Sequence, residues 1–188
     1  MQKLQELKSH LKSGRLYKRA ELEKWSKSVD RHLSQLLSME ILSKVGPGLY
    51  YAPKKNAFGI EPPNEEKLVQ KYLDNSKFLI TSFNIYNKLE LGTTQLYNHK
   101  VVYNHLKSGD VKLGNKVFTF RKKSSFPTKQ TAEFAVVDLV NNLDQLAEDQ
   151  PKVLENVQKK VKELDPKAFS IAVEKYGTKK TRQLLATA

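Results

Sequence analysis

Cysteine is absent from the 188 residues. That removes at once a disulfide framework, a thiolate zinc site and a cysteine nucleophile. Apolar runs are short, and none approaches the roughly 20 residues needed to span a bilayer. The charged, amphipathic start from Met1 to Lys12 lacks the uninterrupted apolar stretch of a signal peptide. The expectation is a soluble cytoplasmic protein with no membrane contact. Catalytic signatures are missing too: there is no phosphate-binding glycine loop, no HExxH, and no Asp-x-Asp pair after a Gly-Ser motif. His99 and His105 lie near each other without a third ligand at metal-like spacing. No enzymatic activity, cofactor or metal is therefore expected.

Positive charge is what the chain has in excess, with 33 Lys+Arg against 20 Asp+Glu and a net +13. The excess is uneven. Positions 1–60 hold 12 basic and 5 acidic residues, 61–150 hold 12 and 11, and 151–188 hold 9 and 4. Basic ends around a nearly neutral middle attract polyanions such as nucleic acid. Surface lysine that merely keeps a protein soluble would look similar by charge alone. At 39% hydrophobic residues, the chain has enough apolar surface to build real cores.

Periodicity organises the first third. Leu4, Leu7 and Leu11 recur at helical spacing, and Ser13-Gly14 ends that helix. Tyr17 to Trp25 reads as a short second helix. Ser28 is a candidate N-cap for a third, where Val29, Leu33, Leu36 and Leu37 form one apolar stripe before an end near Glu40. Ile41 to Ala52 reads as two strands around the Gly46-Pro47-Gly48 turn. Three short helices and a hairpin are the order of a winged helix-turn-helix, assigned to residues 1–55. Pro53 to Pro63 reads as a loop, with 56–63 as the linker.

The remainder, 64–188, alternates. An Asn64-capped helix runs to Leu73, and strands are expected over 78–81, 101–106, 111–113 and 117–121, with a helix possible over 82–89. Helices follow over 131–146, from Pro151 to Leu164, from Asp165-Pro166 to Tyr176-Gly177, and over 179–185. The fold class is α+β: a winged helix-turn-helix, then a small mixed α/β domain ending in helices.

The third helix carries the functional expectation. At 100° per residue, Lys27, Ser28, Arg31, Ser34, Gln35 and Ser38 fall opposite the apolar stripe. Arg pairs with guanine O6 and N7, Gln with adenine N6 and N7, and small serines approach phosphates closely. A merely solvated face would more typically mix Glu with Lys. Lys44 before the turn, with Lys54 and Lys55 after the second strand, would let the wing grip flanking phosphates. Of Tyr50 and Tyr51, alternation sends one into the core and leaves the other for a backbone contact. Lys18, Arg19 and Lys24 are further phosphate candidates. The expected partner is double-stranded DNA.

The order Arg31-x-Leu33-x-x-Leu36, Gly46-Pro47-Gly48-Leu49-Tyr50-Tyr51, Glu61-Pro62-Pro63 and Gly92-Thr93-Thr94-Gln95 resembles the AbiEi-type antitoxins, in their short DUF6088-like branch. The resemblance is strongest from Val29 to Phe120. It implies a type IV toxin–antitoxin system, whose antitoxin represses its own operon through the N-terminal winged helix. A further domain would counter a nucleotidyltransferase-like toxin. The rival readings are a winged-helix module that binds protein rather than DNA, and an enzyme acting on nucleic acid through the α/β middle.

Overall fold

The computed structural model describes residues 2–91, 97, 99–146 and 149–186. The chain is a mixed α/β protein whose elements group into two compact units. One comprises Met1–Ser76 with Asp110–Phe118, the other Lys77–Gly109 with Thr119–Ala188. The sequence-based division at 56–63 and this grouping differ, because the first unit runs on through a further helix and recruits a hairpin tip from later in the chain.

The first unit begins with α1 (Gln2–Ser9), β1 (Leu16–Lys18), α2 (Arg19–Glu23), α3 (Val29–Ser38), β2 (Ser43–Gly46) and β3 (Leu49–Tyr51). The three strands form an antiparallel sheet in the order β1-β3-β2. Tyr17 was expected in the second helix but lies in β1, opposite Tyr50. Tertiary pairing overrides helical spacing there: the Tyr17 hydroxyl accepts the Lys12 N–H at 2.7 Å and donates to the His10 carbonyl. Leu7, Tyr17, Leu22, Val29, Leu33, Leu36, Leu42 and Tyr50 form the core, and Trp25 packs at its side, stacked on His10. Burial of these apolar side chains is the main stabilising term.

Pro53 to Pro63 is not a loop. Strands β4 (Lys54–Asn56) and β5 (Gly59–Glu61) form a two-stranded hairpin. The Asn56 side chain accepts the Phe58 N–H at 2.9 Å, and Gly59 at φ +115 takes the turn conformation that other residues avoid. The glycine and prolines that suggest a linker instead punctuate the hairpin. Helix α4 (Glu65–Leu73) follows, with the Asn64 side chain accepting the Lys67 N–H as expected.

Strands β6 (Phe78–Thr81), β7 (Lys100–Asn104), β8 (Gly109–Leu113) and β9 (Lys116–Lys122) hydrogen-bond in the order β6-β7-β9-β8. The tip of the β8–β9 hairpin, Asp110–Phe118, belongs to the first unit. There the Gly114 N–H donates to the Val45 carbonyl, and a Cβ on Gly46 would come within 2.7 Å of Leu113 Cδ2. A side chain at Gly46 would force Leu113 to shift, while Gly48, at φ +64, takes the positive-φ position of the turn.

The second unit adds α5 (Asn84–Lys88), α6 (Ala132–Asn141), α7 (Gln150–Val161), α8 (Pro166–Tyr176) and α9 (Lys179–Leu185). From Phe134 to Val140 every residue of α6 is buried, so α6 is a central helix rather than an amphipathic one. Thr131, Asp149, Asp165 and Thr178 each cap a helix with a side-chain oxygen. No helix among the described residues is long and apolar enough to cross a membrane.

Candidate nucleic-acid interface

Helix α3 buries Val29, Leu33 and Leu36 and turns Arg31, Ser34, Gln35 and Ser38 to solvent, with Lys27 and Ser28 exposed just before it. Arg31 and Gln35 are one helical turn apart and share a face. Neither side chain has a hydrogen bond or ion pair among the described residues, and Lys27, Lys44 and Lys55 carry no ion pair there either. Small side chains flank the pair: the Ser34 hydroxyl donates back to the Asp30 carbonyl and Ser38 to the Gln35 carbonyl. Those two hydroxyls lie flat on the helix and leave Arg31 and Gln35 as its projecting groups.

Ser28 occupies the N-cap position, yet its side chain makes no capping bond. At φ −109, ψ 45 its backbone is not extended, so the hydroxyl is not aimed at the next turn's N–H groups. The inward face holds His32, which the apolar pattern did not single out. It is buried, with Nδ1 2.7 Å from the Ser26 hydroxyl. The signal was available: His32 sits between Val29 and Leu33 on the buried side of the stripe.

Other basic residues are committed elsewhere. Arg19 grips Asp30 through two parallel bonds of 2.8 and 2.7 Å and also reaches Glu23. The hydrogen bonds that Arg19 donates to Asp30 push the guanidinium well above its ordinary range and hold the Asp30 carboxyl below its own. This fork fastens the start of α2 to the start of α3. Lys18 pairs with Asp74, and Lys71 with Glu21. Partial burial works to raise the Glu21 carboxyl, but bonds from the Lys18 N–H and Lys71 outweigh it and hold it below the usual range. Lys54 pairs with Glu61 across the β4–β5 ladder at 2.9 Å, which raises the ammonium.

On the β2–β3 hairpin, Lys44 is exposed on the outer strand opposite Tyr50. Tyr50 and Tyr51 do not divide between core and surface: both are buried. β3 is the central strand and is covered on both faces. Tyr50 joins the helical core, while the Tyr51 hydroxyl donates to the Glu61 carbonyl at 2.9 Å.

A polar cluster that the sequence did not reveal lies in the second unit. Asp138 is fully buried on α6. Its oxygens accept from Tyr86 at 3.0 Å, Tyr103 at 2.8 and 2.9 Å, Lys123 at 3.2 Å and Asn142 at 3.2 Å. Lys123 Nζ also lies 3.9 Å from the Tyr103 ring centre. Arg121 extends the network through Asn142 and Gln145. Burial first, and then the Asp138 charge, push both phenols well above their ordinary range. Four side chains converge on the two Asp138 oxygens, so the cluster ties α6 to its neighbours. One sign was legible, namely an acid alone in the run Phe134 to Val140.

His99 is exposed, and His105 bonds the Lys123 carbonyl at 2.8 Å. No group of three or more His, Asp or Glu that could hold a metal occurs among the described residues. Glu61-Pro62-Pro63 joins β5 to α4, while Gly92-Thr93-Thr94-Gln95 lies outside the described residues.

Fold and site together define a mixed α/β protein with an exposed, basic and polar helix face braced by a three-stranded sheet. The chain belongs to the family described as "Family of unknown function (DUF6088)", whose model matches residues 2–170. No curated protein and no solved structure matches it.

Proposed function

We propose that the first unit is a winged helix-turn-helix that binds double-stranded DNA, and that the protein is a cytoplasmic, non-catalytic transcriptional regulator. One observation carries the reading. The element order α1-β1-α2-α3-β2-β3, with sheet order β1-β3-β2, leaves Arg31 and Gln35 projecting on α3 without a partner among the described residues. In this reading α3 enters the major groove, Arg31 and Gln35 contact base edges, and Lys27, Ser28, Ser34, Lys44 and Lys55 hold the backbone. Lys54 contributes less, because Glu61 already neutralises it. The resemblance to AbiEi-type antitoxins extends the proposal to repression of the protein's own operon and control of a nucleotidyltransferase-like toxin, with the second unit serving the latter task.

Fluorescence anisotropy with the protein's own promoter DNA tests the reading. Arg31→Ala weakens specific binding by roughly 1–3 kcal/mol. With about six phosphates neutralised, the log–log salt slope lies near −5. Unchanged promoter affinity in the Arg31→Ala, Gln35→Ala double variant overturns the assignment. Salt-insensitive capture of a protein partner without a DNA shift supports the interaction-module reading instead.

A further inference from the structure

A cleft of about 1000 Å³ lies wholly within the first unit and is lined by no residue of α3. Two of its walls are the turn that precedes β1 and one face of α4. In the turn, the Arg15 N–H donates to the Lys12 carbonyl at 3.2 Å. That closure sets the Cα atoms of Lys12 and Arg15 within about 7 Å of each other. On α4, Lys67, Gln70 and Lys71 follow at helical spacing and share one face. Pro62 and Pro63 add apolar surface between the two walls.

Five cations line the cleft, Lys12, Arg15, Lys54, Lys67 and Lys71, against two acids, Glu61 and Asp74. Both acids are already taken: Glu61 pairs with Lys54 at 2.9 Å and Asp74 with Lys18 at 2.9 Å. Lys71 is held by Glu21 at 2.6 Å. Lys12, Arg15 and Lys67 are left, exposed and without an ion pair among the described residues. The Arg15 guanidinium lies 5.7 Å from the centre of the Tyr17 ring, a contact that steadies the side chain without occupying its N–H donors. Three cations lining one concavity repel one another and focus a positive potential there. A bound anion relieves that repulsion.

Size and shape narrow the choice of anion. Small-molecule and cofactor sites typically occupy about 300–1,000 Å³, which suits a nucleotide. A DNA duplex presents its phosphates along a broad convex ridge, which matches a row of cations better than a recess with cations on separate walls. We propose that this cleft binds a compact phosphorylated ligand of nucleotide size. Lys12, Arg15 and Lys67 hold its phosphates, Arg15 through a two-pronged donor, and Pro62 and Pro63 pack against the remainder. The proposal stands whether or not α3 reads DNA.

Isothermal titration calorimetry of the full chain with ADP is the test. The expected result is saturable one-to-one binding that inorganic pyrophosphate displaces and adenosine does not. Lys12→Ala with Lys67→Ala weakens ADP binding by at least about tenfold, the factor that a lost charge-assisted hydrogen bond is worth. Neither ammonium has a partner to lose among the described residues, so this double variant keeps the parent's thermal midpoint. Lys152→Ala with Lys159→Ala removes the same charge from exposed positions on α7 and leaves ADP binding unchanged. Absence of ADP binding overturns the proposal, as does equal weakening by the two double variants, which would mark unspecific attraction. Unchanged ADP affinity in the Lys12→Ala, Lys67→Ala variant overturns it too. If the parent does not bind ADP and that variant loses promoter-DNA affinity, the cleft is a nucleic-acid backbone contact instead.

Discussion

On α3, Arg31 and Gln35 stand in solvent with no ion pair among the described residues, whereas on α6 Asp138 is enclosed and both of its oxygens are taken by neighbours. Both helices carry polar groups, but only the first leaves them available to a partner. Hydrogen-bonding capacity in the first case can be satisfied by water or by a ligand at little cost. In the second it must be satisfied internally, because an uncompensated charge in a core costs several kcal/mol. Polar chemistry on an exposed, braced face therefore points to recognition. The same chemistry in a sealed core points to architecture.

The contrast can be broken from either side. Asp138→Ala leaves the Lys123 ammonium and two phenols without their acceptor, and urea unfolding is expected to register a loss of about 3–5 kcal/mol. A change below about 1 kcal/mol would mean the cluster is not the closed network described. Arg31→Ala with Gln35→Ala should do the reverse: at least the promoter-affinity loss expected for Arg31→Ala alone, with unfolding stability within about 0.5 kcal/mol of the parent.

A smaller effect follows from pH. The phenols of Tyr86 and Tyr103 are raised in the folded protein, first by burial and then by Asp138. Their contribution to stability is fully present below the unfolded tyrosine value of about 10 and is lost as pH climbs above it. Phenolate absorbance should show these two of the eight tyrosines ionising only as the second unit unfolds. The late step should disappear in the Tyr86→Phe, Tyr103→Phe double variant. The smallest difference concerns two lysines. Lys44→Ala should reduce the salt slope of DNA binding by about 1, and Lys54→Ala by visibly less, because Lys54 is already paired with Glu61. Equal slopes would show that the Glu61 pair does not compete with phosphate.

Much of the element order could be read from local signals. The stripe Val29-Leu33-Leu36, the Gly46-Pro47-Gly48 turn, the Asn64 cap and the strand at 78–81 all reappear in the structure. Each depends on periodicity or turn chemistry within a few residues. Tyr17 in a strand and Tyr51 buried were not legible, because each depends on a partner elsewhere in the sheet or beyond it, and the hairpin at 54–61 was masked because its glycine and flanking prolines also suit a linker. The candidate face on α3 was visible as residue types. Which of its cations lack partners was not.

The sequence by itself determined the absence of thiol chemistry, the basic excess and the amphipathic stripe that turns Arg31 and Gln35 outward. These follow from composition and helical geometry alone. Tertiary structure decided which charges are spent and which are free. Arg19 goes to Asp30 and Lys54 to Glu61, while Asp138 is enclosed by Tyr86, Tyr103, Lys123 and Asn142. An ion pair or a buried hydrogen bond needs two groups within about 3 Å, and only the folded chain sets that distance.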